Sequence, residues 1–136
     1  MQDSIFTQII KRELPGEILF EDEFLFVILT IMPHHPGHSL VIPKKQVDKL
    51  YELDVQVYQR VMDVAQKLAN MLDELYSPKR VGMSVEGLAV PHAHVHLIPI
   101  NNIGDMDHDR ARPATPDELK KEGDKIREAI RKGEKL

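Results

Sequence analysis

Val90-Pro91-His92-Ala93-His94-Val95-His96-Leu97-Ile98-Pro99 is the stretch from which the rest of the chain can be read. At period two it spells a strand, with His92, His94 and His96 on one face and Ala93, Val95 and Leu97 on the other. Pro91 and Pro99 bracket it, as prolines do at strand ends but not inside a central ladder. Lys, Thr or Glu would serve a plain solvent-facing strand as well, so three alternating imidazoles point to a chemical task. Strand rise separates His94 from His96 by about 6 to 7 Å, and His92 from His96 by about twice that. A metal with nitrogen ligands at about 2 Å can collect two of these rings but hardly all three from one straight strand. A metal site would need further ligands, for which His34, His35, His38 and Glu86 are the candidates. A phosphoryl group suits the spacing better, with one imidazole attacking phosphorus while its neighbour bonds an oxygen. With an ordinary pKa near 6.5, an imidazole is roughly three-quarters neutral at pH 7. The neutral majority can act as nucleophile and the cationic minority as acid.

Outward from this stretch, the chain alternates compact apolar segments with turn signals. Asp3 is placed to cap a short helix from Ser4 to about Arg12, ended by Leu14-Pro15-Gly16. Glu17 to Glu21 and Phe24 to Leu29 read as a hairpin about Asp22-Glu23. Met32 to His38 is a loop by its prolines and glycine, and Ser39 to Pro43 a buried strand. Asp54 stands before a long helix to about Tyr76, whose stripe of Val57, Val61, Val64, Leu68, Met71 or Leu72, and Leu75 is core packing. Val81 to Glu86 is a further strand, with Gly87 the break before the histidines. Beyond Asn101 the composition turns polar. Thr115-Pro116-Asp117-Glu118 then gives an N-cap, an N1 proline and an N3 glutamate, a helix-start signature. That tail helix carries Leu119, Ile126 and Ile130 on a thin apolar face, with Gly123 as a weak point. The face suits docking on the domain or on a partner subunit. The expectation is an α+β domain with a five-stranded, mostly antiparallel sheet, one long and one short helix, and a C-terminal helical tail. Residues 1–100 form the domain and residues 101–136 its loop-and-helix extension.

A chain of 136 residues with a net charge of −4 can bury a real core and lacks the basic stripe of a general nucleic-acid binder. No apolar run reaches membrane-spanning length. The N-terminus has no basic start or long apolar core of the signal-peptide kind, so a cytoplasmic protein is expected. Cysteine is absent, which removes disulfides, thiolate zinc sites and a cysteine nucleophile.

His92-Ala93-His94-Val95-His96-Leu97-Ile98 resembles the His-x-His-x-His-x-x signature of the histidine-triad (HIT) nucleotide hydrolases and transferases. The likeness runs from Ser4 to Ile100, through Ile5-Phe6, Ile9-Ile10, Leu14-Pro15, Phe20-Glu21-Asp22 and Pro36-Gly37-His38-Ser39-Leu40-Val41-Ile42-Pro43-Lys44-Lys45. It is closest to the Hint-like branch. The resemblance implies a HIT-like fold and a homodimer that joins two five-stranded sheets into one. It makes His94 the nucleophile on the α-phosphorus of a purine nucleotide, with a nucleotidyl-histidine intermediate that water hydrolyses. His96 matches the position near the leaving group, His92 the first triad member, and His38 the supporting histidine of the proline-glycine loop. Ile5, Phe6, Ile9, Ile28 and Ile31 match positions that line the base pocket, and for some of them ordinary core is the simpler account. Gly87 and Ala89 lie on the substrate side before the triad. His34, His35 and His108 match no functional position and read as surface residues.

The sequence departs from that pattern in four places. Thr30 stands where the Hint-like branch has an aspartate that holds the ribose hydroxyls. Leu88 and Ala89 replace a Gln-Ser pair. Ser4, Thr7 and Gln46 occupy positions where many bacterial members carry two cysteines and a histidine as zinc ligands, so no metal or other cofactor is expected. The tail has no tryptophan. The leading expectation is a nucleoside phosphoramidate or dinucleoside polyphosphate hydrolase working through His94. The alternatives are a catalytically weak nucleotide-binding or interaction protein on the same fold, and a metalloprotein using part of the histidine cluster.

Overall fold

A computed structural model describes residues 2–133 and 135–136. The element order is α1 (Ile5–Ile10), β1 (Glu17–Glu21), β2 (Leu25–Leu29), β3 (Ser39–Pro43), α2 (Val55–Tyr76), β4 (Arg80–Ser84), β5 (Val95–Ile100) and α3 (Pro116–Lys132). The five strands form one sheet in the order β1-β2-β3-β5-β4, and every neighbouring pair is antiparallel. The expected α+β architecture is therefore the observed one.

Burial on β2 shows why the sheet needs two covers. All five of its residues are buried. Leu25, Val27 and Leu29 join the larger core with Val61, Val64, Ala65, Leu68 and Leu72 of α2. Phe26 and Ile28 turn the other way and meet Phe6 and Ile9 of α1, with Leu40 and Ile42 of β3. His96 is paired with Leu40 across the β3–β5 ladder, so its side chain stands on the α1 face.

Several boundaries differ from the sequence expectation. Ser4 rather than Asp3 caps α1, because its hydroxyl accepts from the Thr7 amide, while Asp3 pairs with Lys11 at 2.8 Å. The expected β4 over Val81 to Glu86 lies one residue earlier and stops at Ser84. The histidine stretch is strand only from Val95 onward and runs on to Ile100, so His92 and His94 precede the ladder. The alternating pattern persists through residues 90–94, but the backbone there pairs elsewhere. The Ala93 amide donates to the Val47 carbonyl at 2.7 Å and the His92 amide to the Val90 carbonyl at 2.8 Å. Pro99 is tolerated inside β5 because β3 pairs with β5 only as far as Leu97, so no ladder donor is required of it on that side.

The tail helix docks on its own domain. It packs against β1 and α2, and Arg127 bonds both the Ile18 carbonyl and Glu17. Gly123, expected as a weak point, is buried where a side chain would strike Glu17, so its missing side chain is what lets α3 approach β1. Thr115 caps the helix by accepting from the Glu118 amide, with proline in the first turn, as the sequence indicates. Among the described residues no helix is long and apolar enough to cross a membrane.

Candidate active site around the histidine cluster

Pairing of β3 with β5 brings His38, one residue before β3, against His96. Their Nε2 and Nδ1 atoms lie 2.9 Å apart. The His94 and His96 rings are centred 4.9 Å apart, closer than strand rise alone suggests because His94 leaves the ladder.

The hydrogen-bond partners assign each ring's tautomer. His94 Nδ1 faces the His92 carbonyl at 2.7 Å. A carbonyl only accepts, so Nδ1 carries the proton and Nε2 the lone pair. Among the described residues no buried side-chain nitrogen or oxygen lacks a partner. His94 Nε2 forms no hydrogen bond there and therefore opens to solvent. The second chain of bonds runs the other way. The His34 backbone N–H donates to His38 Nδ1 at 3.1 Å, so neutral His38 holds its proton on Nε2 and donates it to His96 Nδ1. His96 must then carry its own proton on Nε2. Neighbouring rings thus present opposite functions, a lone pair on His94 and an N–H on His96.

Burial keeps these rings neutral. His38 is driven down to about 3 and His96 to about 4, by desolvation first and then by neighbouring imidazoles. His94 and His92 are also lowered, again chiefly by burial. The cationic minority expected of an ordinary imidazole is absent here. At pH 7 a group with a pKa near 4 is charged in about one molecule in a thousand, and the proton from His38 already fills the space at His96 Nδ1. His96 is a hydrogen-bond donor, not an acid.

His92 is fully buried and has both ring nitrogens engaged. Nε2–H donates to the Pro43 carbonyl at 2.7 Å, and Nδ1 accepts from the Ser4 hydroxyl at 2.6 Å. It cannot meet a ligand as a catalytic group would. It fixes the segment whose carbonyl orients His94. Ser4 and Thr7 also bond the Gln46 side-chain oxygen, through the Ser4 amide at 2.7 Å and the Thr7 hydroxyl at 3.0 Å. This set offers zinc one imidazole and neutral oxygens already bonded to one another, a poor match to that metal's preference for thiolate and imidazole. The residues present do not fit zinc.

Of the expected pocket positions, Phe6 and Ile28 are buried at 5% and 4% exposure. They belong to the core, with the Phe6 ring edge-on to His94 at 4.9 Å. Ile5, Ile9 and Ile31 keep exposed surface. Thr30 accepts from the Met32 amide at 3.2 Å and lines a cavity of about 470 Å³ with His34, His38, Arg112 and Glu118. Gly87 takes φ +73 with open space beyond its Cα, and Ala89 is exposed. A second cavity, of about 540 Å³, lies beside Ile9, Arg12, Ile18 and Arg127. Neither cavity contains His94 or His96.

Sequence reasoning missed His34 and His108. His34, expected at the surface, is half-buried, stacks edge-on against His38 at 5.0 Å and sets that ring's tautomer through its backbone. His108 lies 6.4 Å from His34 and bonds Glu86 at 2.7 Å. The pair of histidines in the Pro33-to-Gly37 loop was the available signal for His34. Nothing in the sequence placed the tail beside it. His35 faces Tyr76 instead.

The sequence profile of the HIT domain matches residues 11–103, more than half of the chain. This chain belongs to the HIT family. A HIT-like protein of Borreliella burgdorferi is 36% identical over 106 residues, 73% of this chain and 76% of the relative. A yeast relative from Saccharomyces cerevisiae, named adenosine 5′-monophosphoramidase, is 33% identical over 70% of this chain and 61% of its own length. A Dictyostelium discoideum relative named bis(5′-adenosyl)-triphosphatase is 25% identical over 82% and 84% of the two chains. Among solved structures, a HIT-like protein of Bartonella henselae superimposes with a TM-score of 0.81 at 28% identity, covering 93% of this chain and 96% of that one. A zinc-bound histidine-triad protein of Mycobacterium smegmatis gives 0.76 at 26% identity, over 93% and 92%.

Proposed function

We propose that this HIT protein is a nucleotide hydrolase that cleaves the bond between an α-phosphorus and its leaving group in nucleoside phosphoramidates or dinucleoside polyphosphates. One observation carries the reading. His94 is held with its lone pair outward while His96, beside it, offers an N–H. His94 Nε2 attacks phosphorus, the bond to the leaving group breaks, and the electron pair departs with that group, a phosphate chain leaving as an anion and an amine taking its proton from solvent. The product of this step is a nucleotidyl group on His94. The His96 N–H bonds a phosphoryl oxygen, where negative charge gathers as the centre passes through its five-coordinate arrangement. Water then attacks phosphorus, the phosphorus–nitrogen bond breaks, and the lone pair returns to Nε2. The proton of the water passes to the released nucleotide or to solvent. The base of a purine nucleotide packs on the exposed faces of Ile5, Ile9 and Ile31, the sugar lies toward Thr30, and Gly87 and Ala89 border the phosphate. The names of the yeast and Dictyostelium relatives support this substrate class.

The test is His94→Ala. Turnover of adenosine phosphoramidate should fall by at least about a thousandfold, with AMP binding and the fold retained. Intact mass should show an adenylyl adduct on the wild-type protein and none on the variant. Near-normal activity of His94→Ala would overturn the covalent mechanism. AMP binding by a wild-type protein that forms no adduct and turns nothing over would make it a nucleotide-binding protein instead.

A further inference from the structure

The histidines do not stop at the triad. Their rings step from His94 to His96 at 4.9 Å, to His38 at 5.1 Å, to His34 at 5.0 Å and to His108 at 6.4 Å. His34 and His108 come from a loop and from the tail, and each has one ring nitrogen committed. His34 Nδ1–H donates to the Asp105 carbonyl at 3.1 Å. His108 Nε2–H donates to Glu86 at 2.7 Å. Their other ring nitrogens, His34 Nε2 and His108 Nδ1, bond nothing among the described residues and are not buried. A histidine anchored through one N–H on a fixed acceptor gains a second, outward N–H when it takes up a proton, and an approaching phosphate favours that protonation.

Position decides which part of a substrate these rings meet. His34 and His108 are the outer steps of a series of rings that passes from His94 through His96 and His38. They lie on the His96 side. In a phosphoryl transfer the entering and departing atoms are roughly in line, so the side away from His94 Nε2 is where the leaving group goes. The bonding at His96 also says what kind of leaving group suits the site. With His38 donating into its Nδ1, His96 cannot serve as a strong acid, and an amine leaving group receives no proton from it. A phosphate chain departs as an anion and needs donors, not a proton.

We infer that His34 and His108 form a binding subsite for a phosphate on the leaving-group side, making them specificity-determining residues for substrates whose leaving group is a nucleoside di- or polyphosphate. The inference rests on the hydrolase reading above. His108 is 81% exposed at its side chain and Glu86 50%, so the outer half of the subsite is accessible to a chain longer than one phosphate. Glu86 holds His108 in place.

The experiment compares diadenosine triphosphate with adenosine phosphoramidate, which share the adenylyl group and differ in what leaves. His34→Ala/His108→Ala is made on a Glu86→Gln background, so that no unpaired carboxylate repels the triphosphate by itself. His34→Ala keeps the backbone N–H that orients His38. Relative to Glu86→Gln alone, kcat/KM for the triphosphate should fall at least about tenfold further than for the phosphoramidate, mainly through KM, because donors to charged oxygens are lost. His34→Gln, which restores a side-chain donor, should recover part of the difference. An equal fall on both substrates, or no fall, overturns the subsite. A parallel measurement separates this from failure of the hydrolase reading. In His94→Ala protein, calorimetry with diadenosine triphosphate and with AMP should show tighter binding of the triphosphate, and the histidine replacements should abolish the advantage. An affinity ratio left unchanged by the replacements overturns the inference whether or not the wild-type protein turns over either substrate.

Discussion

At the scale of single residues, the site depends on imidazoles held neutral by burial. His38, His92, His94 and His96 all have lowered proton affinity in the folded chain. The unfolded chain binds protons near the ordinary value of about 6.5, so between there and the folded values it binds more protons than the native state. Stability therefore rises with pH across that window. It is fully present above about pH 6.5 and is lost as the pH falls toward about 4 for His96 and about 3 for His38. Urea midpoints measured at pH 7.5, 6 and 5 should decrease in that order, and His38→Asn/His96→Asn should flatten the trend. A slope unchanged in the double variant would mean that carboxylates, not these rings, set the acid sensitivity. Thr30 gives a second expectation. Its oxygen already accepts from the Met32 amide, leaving a neutral hydroxyl donor where a carboxylate could accept from two ribose hydroxyls. Exchanging a charged acceptor for a neutral one forfeits about 1 to 2 kcal/mol, so ribose should be preferred over 2′-deoxyribose only weakly. Thr30→Asp can keep the turn, since aspartate also accepts from an amide two residues on, and should sharpen the preference. A ribose preference beyond about a hundredfold in the unmodified protein, read as kcat/KM on paired phosphoramidates, would refute this.

At the scale of elements, the structure separates what local pattern shows from what it cannot. The Thr115 cap, the α2 stripe and the β1–β2 hairpin are local events, and each was legible because its bonds close within a few residues. The Asp22 side chain, for example, accepts from the Phe24 and Leu25 amides at the hairpin. The start of β5 was misread because alternation at residues 90–94 imitates a strand, while the deciding bond, Ala93 to Val47, spans the fold. The resemblance pointed to His94 as the nucleophile; the tautomer of its ring was not legible, since that rests on where the His92 carbonyl points. The Ser4–His92 bond joins α1 to the triad segment in the same long-range way. Ser4→Ala removes both the helix cap and the 2.6 Å donor to His92 Nδ1, leaving the Thr7 hydroxyl at 3.5 Å. A loss of about 1 to 3 kcal/mol in urea unfolding is expected, with a fall in kcat as the His92 carbonyl loosens. Stoichiometric zinc resisting a chelator in the wild-type protein would contradict the hydrogen-bonded account of this cluster. Gly123→Val tests the α3 contact. The added methyls meet the Glu17 side chain, and overpacking at such a contact costs about 1 to 3 kcal/mol. Unchanged stability would show that α3 rides loosely on β1.

At the scale of the whole molecule, the two edges of the sheet are unlike. The β1 edge is flanked by α3, with Arg127 tied to the Ile18 carbonyl and to Glu17. β4 is the opposite edge strand, and among the described residues no side chain bonds its backbone in this way. Its Met83 is 44% exposed, followed by Val85 at 50% and Leu88 at 88%. An edge strand with unpaired backbone groups and apolar side chains is a template for another strand, and natural monomers blunt such edges with charge, proline or a covering element. A second copy of this chain is expected to meet the need by a two-fold contact, β4 against β4, which would pair the same patch with itself. The expected outcome is a dimer by light scattering at micromolar concentration. Met83→Lys, which places a charge in the pairing edge, should shift the equilibrium toward monomer while leaving the thermal transition of the isolated domain in place. Adduct formation on His94 should persist in that monomer, because every bond that orients His94 and His96 lies within one chain. A wild-type monomer at micromolar concentration, or a dimer indifferent to Met83→Lys, would rule out β4 as the joining edge.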